Sequence, residues 1–269
     1  MIPETTEIIT KENIMQGIIK KQRGRNTIIE IHSLSDELKQ KIKSELTTIC
    51  HGEYALTSES IHHSFERTIR ELVQHRLPEA QNKRIGAIGE LLLNVIIRSF
   101  TSLRIISPFF NLEERNVKKG FDIIAIDEEN RLWLVESKAG KVNPEDTATQ
   151  KLCERIKTAK NDLYTRLNQG SSQLWLNAIN SVRGSLDDTS EKKTIENIIA
   201  QSGNSDNSND KNVILGGVIF CLFNSQIDSE KLDHLYQSIA RSNDFEDLQI
   251  IAIQQPTYEA IYNFLCELI

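Results

Sequence analysis

The chain has 269 residues, 39% of them hydrophobic, and a net charge of −6, a size that suits one large α/β unit or a core with an appended lobe. An acidic balance excludes a protein that coats nucleic acid over its whole exterior, because duplex affinity comes largely from phosphate neutralisation; any DNA contact must be local or delivered by a partner. No segment has the ~20 uninterrupted apolar residues of a membrane helix, and residues 1–10 do not read as a basic-then-apolar leader. Cys50, Cys153, Cys221 and Cys266 are too scattered for a zinc site or a disulfide framework, so reduced thiols and a cytoplasmic location are expected.

The first 80 residues are predicted to form an N-terminal α/β lobe or an extension of the main core. They hold a strand over 26–32, helices near 36–49 and 59–76, and Pro78 at the joint. Lys20-Lys21-Gln22-Arg23-Gly24-Arg25 is a dense basic run that suits a phosphate patch and a solvated loop equally. His62-His63 has no Cys or acid at ligand spacing and reads as an exposed helix face. The main domain, 81–269, opens with a segment over 83–100 that is too apolar for a surface helix and is predicted to pack on a sheet. Gly86 and Gly89 leave room for close backbone approach beside Glu90. That acid either reaches a metal site or lies in a solvent stripe with Lys83, Ala87, Asn94 and Arg98 at helical spacing.

Next come two β-prone runs, 121–127 (FDIIAID) and 131–138 (RLWLVESK), separated by the polar Glu128-Glu129-Asn130. With that three-residue loop as the connection, Asp127 pairs with Arg131, Ile126 with Leu132, Ile124 with Leu134 and Asp122 with Glu136. Alternation along the strands then puts Asp122, Ile124 and Ile126 on one face with Leu132, Leu134, Glu136 and Lys138. Two carboxylates placed directly across a ladder repel one another, unless a divalent cation sits between them. Mg²⁺ prefers hard oxygen ligands and keeps several waters. Asp122, Glu136 and the Ser137 carbonyl supply such ligands, with Mn²⁺ as a substitute ion. Lys138 suits positioning of the attacking water or stabilisation of charge on a phosphate. A charged strand end exposed to solvent is the plainer alternative, and an even-length loop would move Asp122 to the other face.

Beyond this hairpin, Lys141, Lys151, Arg155, Lys157, Lys160 and Arg166 accumulate along a predicted helix. Ala148, Leu152, Ile156, Ala159, Leu163 and Leu167 recur there at helical spacing, so the helix is expected to pack on the sheet and turn its basic side outward. With Lys118 and Lys119, which precede the Asp122 strand, these residues are the candidate phosphate contacts. Further helices are predicted over 171–182, burying Leu174, Trp175 and Ile179, and over 190–201. A polar connector over 203–210 follows. Then come a buried strand over 213–223, a helix near 229–240, a strand over 248–254 and a helix from about Thr257. Those late apolar strands suit a sheet covered on both faces.

A helix bearing Glu90, then Gly120-Phe121-Asp122, then an apolar strand ending in Glu136-Ser137-Lys138 resembles the PD-(D/E)xK nuclease pattern, with Phe121 where that pattern usually has proline. The run Ile88-Gly89-Glu90-Leu91-Leu92-Leu93, taken with Glu136-Ser137-Lys138, is similar to the nuclease subunit (HamA-type) of the Hachiman antiviral defence system. The resemblance covers about residues 84–170. It implies a restriction-endonuclease-like core, a central mixed sheet flanked by helices. It also implies a Mg²⁺-dependent deoxyribonuclease held in check by a helicase partner and released by phage infection or DNA damage. A restriction-type or repair nuclease is the nearest alternative. A non-catalytic subunit that keeps the fold to bind DNA or an ATPase is the more distant one.

Overall fold

In chain order the strands are β1 (Thr10–Met15), β2 (Ile18–Arg23), β3 (Asn26–Ile31), β4 (Arg104–Ile105), β5 (Ile123–Ile126), β6 (Leu132–Lys141), β7 (Asn212–Phe220) and β8 (Asp247–Gln255). In this computed structural model they form one eight-stranded sheet, in the order β1-β2-β3-β8-β7-β6-β5-β4. The structure describes residues 10–110 and 120–269. Lys118 and Lys119, and the first nine residues read above for a leader, lie outside the described residues.

The centre of the sheet is parallel, β3 to β8 to β7 to β6, and antiparallel pairs close both flanks. Parallel strands need crossover connections, which place helices on both faces. On one face lie α1 (Asp36–His51), α3 (Phe65–Glu71), α4 (Gln81–Phe100) and α9 (Tyr258–Glu267), with Ile29, Trp133, Val135, Ile214 and Ile253 beneath them. On the other lie α5 (Ala148–Leu167), α6 (Ser172–Ser185), α7 (Thr189–Ser202) and α8 (Ser229–Ala240), over Ile124, Leu134, Leu215 and Ile250. Short helical pieces, α2 (Tyr54–Thr57) and a π-helical turn at Leu72–Arg76, complete the first layer.

The observed architecture is thus mixed α/β with helices on both sides of the sheet, as expected. The first 80 residues join it directly: β3 pairs with β8, and Leu38, Ile42 and Leu46 of α1 share an apolar cluster with α4. Two features depart from the sequence reading. Residues 10–23 form the β1–β2 hairpin, with Gly17 at φ +75° in its turn, so Lys20 to Arg23 lie on a strand where a phosphate patch or a solvated loop was expected. Lys21 pairs with Glu30 and Arg25 with Asp247, the latter at 3.0 Å; the charge of the run is partly answered within the protein. The segment read as one helix over 59–76 is broken into a 3₁₀ turn at Ile61–His63, α3 and the π-helical turn.

The hairpin that positions the candidate site has the expected register, Ile126 across from Leu132 and Ile124 across from Leu134. Its three-residue loop closes with Asn130 at φ +58°, the left-handed position that asparagine tolerates. Asp127 fastens it, accepting from the Arg131 amide at 2.8 Å and from the Trp133 indole at 3.0 Å.

Candidate active site

β5 and β6 are paired only over Ile123–Ile126 and Leu132–Val135, whereas β6 runs on to Lys141 against β7. From Glu136 onward, therefore, no strand among the described residues flanks β6 on the β5 side. Asp122 stands just before β5, outside the ladder, close enough for its charge to act on Glu136. Asp122 turns into that opening: its Oδ2 accepts from the Ser137 amide at 2.8 Å and the Ser137 hydroxyl at 3.3 Å. The Ser137 side chain points to the α4 face, against which Gly216 and Leu93 pack. Glu136 and Lys138 continue the face of Leu132 and Leu134, beneath α5.

Glu136 is 2% exposed. Burying a carboxylate is costly unless its oxygens are satisfied, and here each oxygen has a cation. Lys138 Nζ lies 2.7 Å from Oε1, and the Arg166 guanidinium donates to Oε2. Arg166 also donates to the Gly120 carbonyl at 2.6 Å, and Lys138 pairs with Asp162 at 3.0 Å. Burial, reinforced by the negative charge of Asp122, pushes the Glu136 pKa from 4.5 up to about 7, although Arg166 and Lys138 pull it back. Burial pulls the Lys138 ammonium down, but Glu136, Asp122 and Asp162 outweigh it and hold the group above the usual lysine range. A carboxylate whose pKa is raised by burial and a neighbouring acid is a frequent mark of a functional site, and of structural ion-pair networks as well.

Asp162 was not singled out from the sequence, and Arg166 only as one of the basic residues of its helix, not as a partner of Glu136. They stand four apart on α5, beside its buried stripe of Leu152, Ile156, Ala159, Leu163 and Leu167. A capping box of Thr147 and Gln150 starts this helix, which runs back antiparallel to β6. The i, i+4 spacing then delivers an acid and a guanidinium to the strand end one turn apart. The only signal in the sequence was that spacing, which also describes a solvated face.

The remaining candidates separate. Glu90 is half-buried on α4, next to Gly89, whose Cα sits so close to β6 that an added Cβ would lie 2.4 Å from the Ala139 Cβ. Ala139 faces α4, so the helix that carries Glu90 lies on the face of β6 opposite Glu136 and Lys138. The alternative solvent stripe does not hold along its length: Lys83 is exposed, but Asn94 is buried and accepts from Arg98 at 3.2 Å. The basic side of α5 is not turned outward as a row. Lys141 pairs with Glu259 at 2.6 Å, Lys151 and Arg155 share Glu154, and Lys160 pairs with Asp244 at 2.7 Å. Lys157 alone of the α5 lysines is fully exposed. Lys151 and Arg155 nonetheless flank Gly140, their aliphatic carbons 3.5 Å from where its Cβ would stand, alongside the site.

As ligands, Asp122, Glu136 and the Ser137 carbonyl make an all-oxygen set that fits a hard divalent cation keeping several waters. The mutual electrostatic strain of the two carboxylates is what such a cation relieves. Among the described residues no group of three or more His, Cys, Asp or Glu side chains is placed to hold a metal. The four cysteines are free, and no helix among the described residues is long and apolar enough to cross a membrane.

Comparison with curated proteins returns no match. The profile of the HamA family matches residues 6–267, which include every residue of the site. The chain therefore belongs to the HamA family, a component of Hachiman antiviral defence.

Proposed function

We propose that this chain is a metal-dependent deoxyribonuclease, the effector of a defence complex in which a helicase subunit controls its access to DNA. The observation that carries the reading is the convergence of Asp122, Glu136 and Lys138 where β6 outlasts β5. Asp122, Glu136 and the Ser137 carbonyl are the groups that hold Mg²⁺ or Mn²⁺. Bound there, the ion supplies Lewis acidity toward the attacking water and the phosphate oxygens. Lys138 adds a positive charge on the same face, suited to orient that water and to offset charge developing on the phosphate. Asp162 holds the Lys138 ammonium in place, and the burial of Glu136 keeps competing water away from its oxygens. Glu90 stands as a supporting acid from the α4 side. Lys118, Lys119, Lys141, Lys151, Arg155, Lys157 and Lys160 are the candidate phosphate contacts.

The test is cleavage of DNA in Mg²⁺ by the purified chain, alone and with its partner. Glu136→Ala combined with Lys138→Ala is expected to lower cleavage by about a thousandfold or more while circular dichroism and partner binding stay unchanged. Undiminished cutting by the double variant would remove the site from the reaction. One observation favours a second reading, a non-catalytic subunit: both Glu136 oxygens are already engaged by cations of the chain itself. Absence of metal-dependent cutting in the assembled, DNA-bound complex would select it.

A further inference from the structure

Resting on the reading that Asp122 and Glu136 hold a divalent cation, we infer that Arg166 is a positioning residue that competes with the cation for Glu136. One guanidinium spans both supports of the carboxylate pair. Its Nη2 donates to Glu136 Oε2, and its Nη1 donates at 2.6 Å to the carbonyl of Gly120, two residues before Asp122. The planar fork of arginine can serve two acceptors in fixed geometry, which the point charge of a lysine cannot. Arg166 thereby brings to Glu136 the kind of positive charge that a bound cation would bring. It supplies positive charge to a buried acid that stands near a second acid, and it keeps the two sides of the opening from parting.

Arg166 and the ion are also rivals. A divalent cation ligated by Glu136 and a guanidinium bonded to the same carboxylate repel strongly in a poorly solvated pocket. A cation held by Glu136 would therefore compete with Arg166 for Oε2. Lys138 does not duplicate this function, because it bonds the other oxygen and is itself tethered by Asp162.

Binding of Mn²⁺ to the full chain at pH 8.5, followed by electron paramagnetic resonance of the free ion, separates competitor from brace. For Arg166→Gln, which removes the rival charge, the dissociation constant is expected to fall by about tenfold, the equivalent of one charge-assisted hydrogen bond no longer given up. Arg166→Lys, which keeps the charge on Glu136, should stay close to wild type and guards against a folding defect in the glutamine variant. Equal or weaker binding by Arg166→Gln would overturn the inference and make Arg166 a structural brace. Binding by neither the wild type nor Arg166→Gln would overturn both the inference and the metal site. Tighter binding by Arg166→Gln in a complex that cuts no DNA would uphold the competition and count against the nuclease alone.

Discussion

His51, far from the candidate site in sequence, illustrates how a single ring can set acid sensitivity. Its Nε2 lies 3.0 Å from Thr68 Oγ1, and its ring packs against His63 and edge-on against Phe110. Burial, then the charges of His63 and Arg76, lower its pKa from 6.5 to about 4. The depressed value means that the unfolded chain binds the proton more readily between those two pH values. Stability is therefore complete above pH 6.5 and is lost as pH falls toward 4. Because the ring is only partly buried, screening reduces the effect to about 1–2 kcal/mol. His51→Gln should flatten this pH dependence, as measured by urea unfolding at steps across the window; an unchanged slope would assign the acid loss to other groups. Glu136 is the opposite case, an acid whose raised pKa makes its charged form costly, and its cost is one that a bound cation offsets.

At the scale of elements, α4 separates two glycines that the sequence presents as equivalent. An alanine Cβ at position 86 meets nothing within 4 Å, whereas one at position 89 would stand 2.4 Å from the Ala139 Cβ on β6. Gly86→Ala is expected to stabilise by up to about 1 kcal/mol through helix propensity. Gly89→Ala should destabilise by about 1–3 kcal/mol through overpacking, and thermal unfolding of the two variants should move in opposite directions. The β5–β6 hairpin was legible beforehand because its loop residues fix its register and its alternating apolar residues fix its faces. The β1–β2 hairpin was not, because Lys20, Lys21 and Arg23 mask a strand whose alternation is paid out at the edge of the sheet. Asp162 and the inward turn of Arg166 escaped for a related reason. On a helix as charged as α5, the residues that turn inward at its last turns have the same spacing as those that face water. The basic residues near the site were legible as a group, but their carboxylate partners, such as Glu259 and Asp244, come from distant segments that local pattern does not reach.

Across the whole molecule, the N-terminal strands and the late strands are joined by the β3–β8 ladder, and Arg104 of β4 bonds Glu53 and Glu191, linking segments 138 positions apart in the chain by their numbering. Removing residues 1–31 would uncover the β8 edge from Ile250 to Gln254 and strip Ile29 and Ile31 from the first apolar cluster. Such a truncated chain is expected to lose cooperative thermal unfolding and to aggregate; a sharp, unshifted transition would show that the strands are an appendage. The unequal lengths of β5 and β6 have the widest reach. A sheet ordinarily exposes its hydrogen-bonding flank only at its two outermost strands, but among the described residues β6 also has no strand partner on its β5 side along Glu136 to Lys141. There the chain answers its own main chain with a side chain: the Asp122 carboxylate takes the Ser137 amide that a neighbouring strand would otherwise bond.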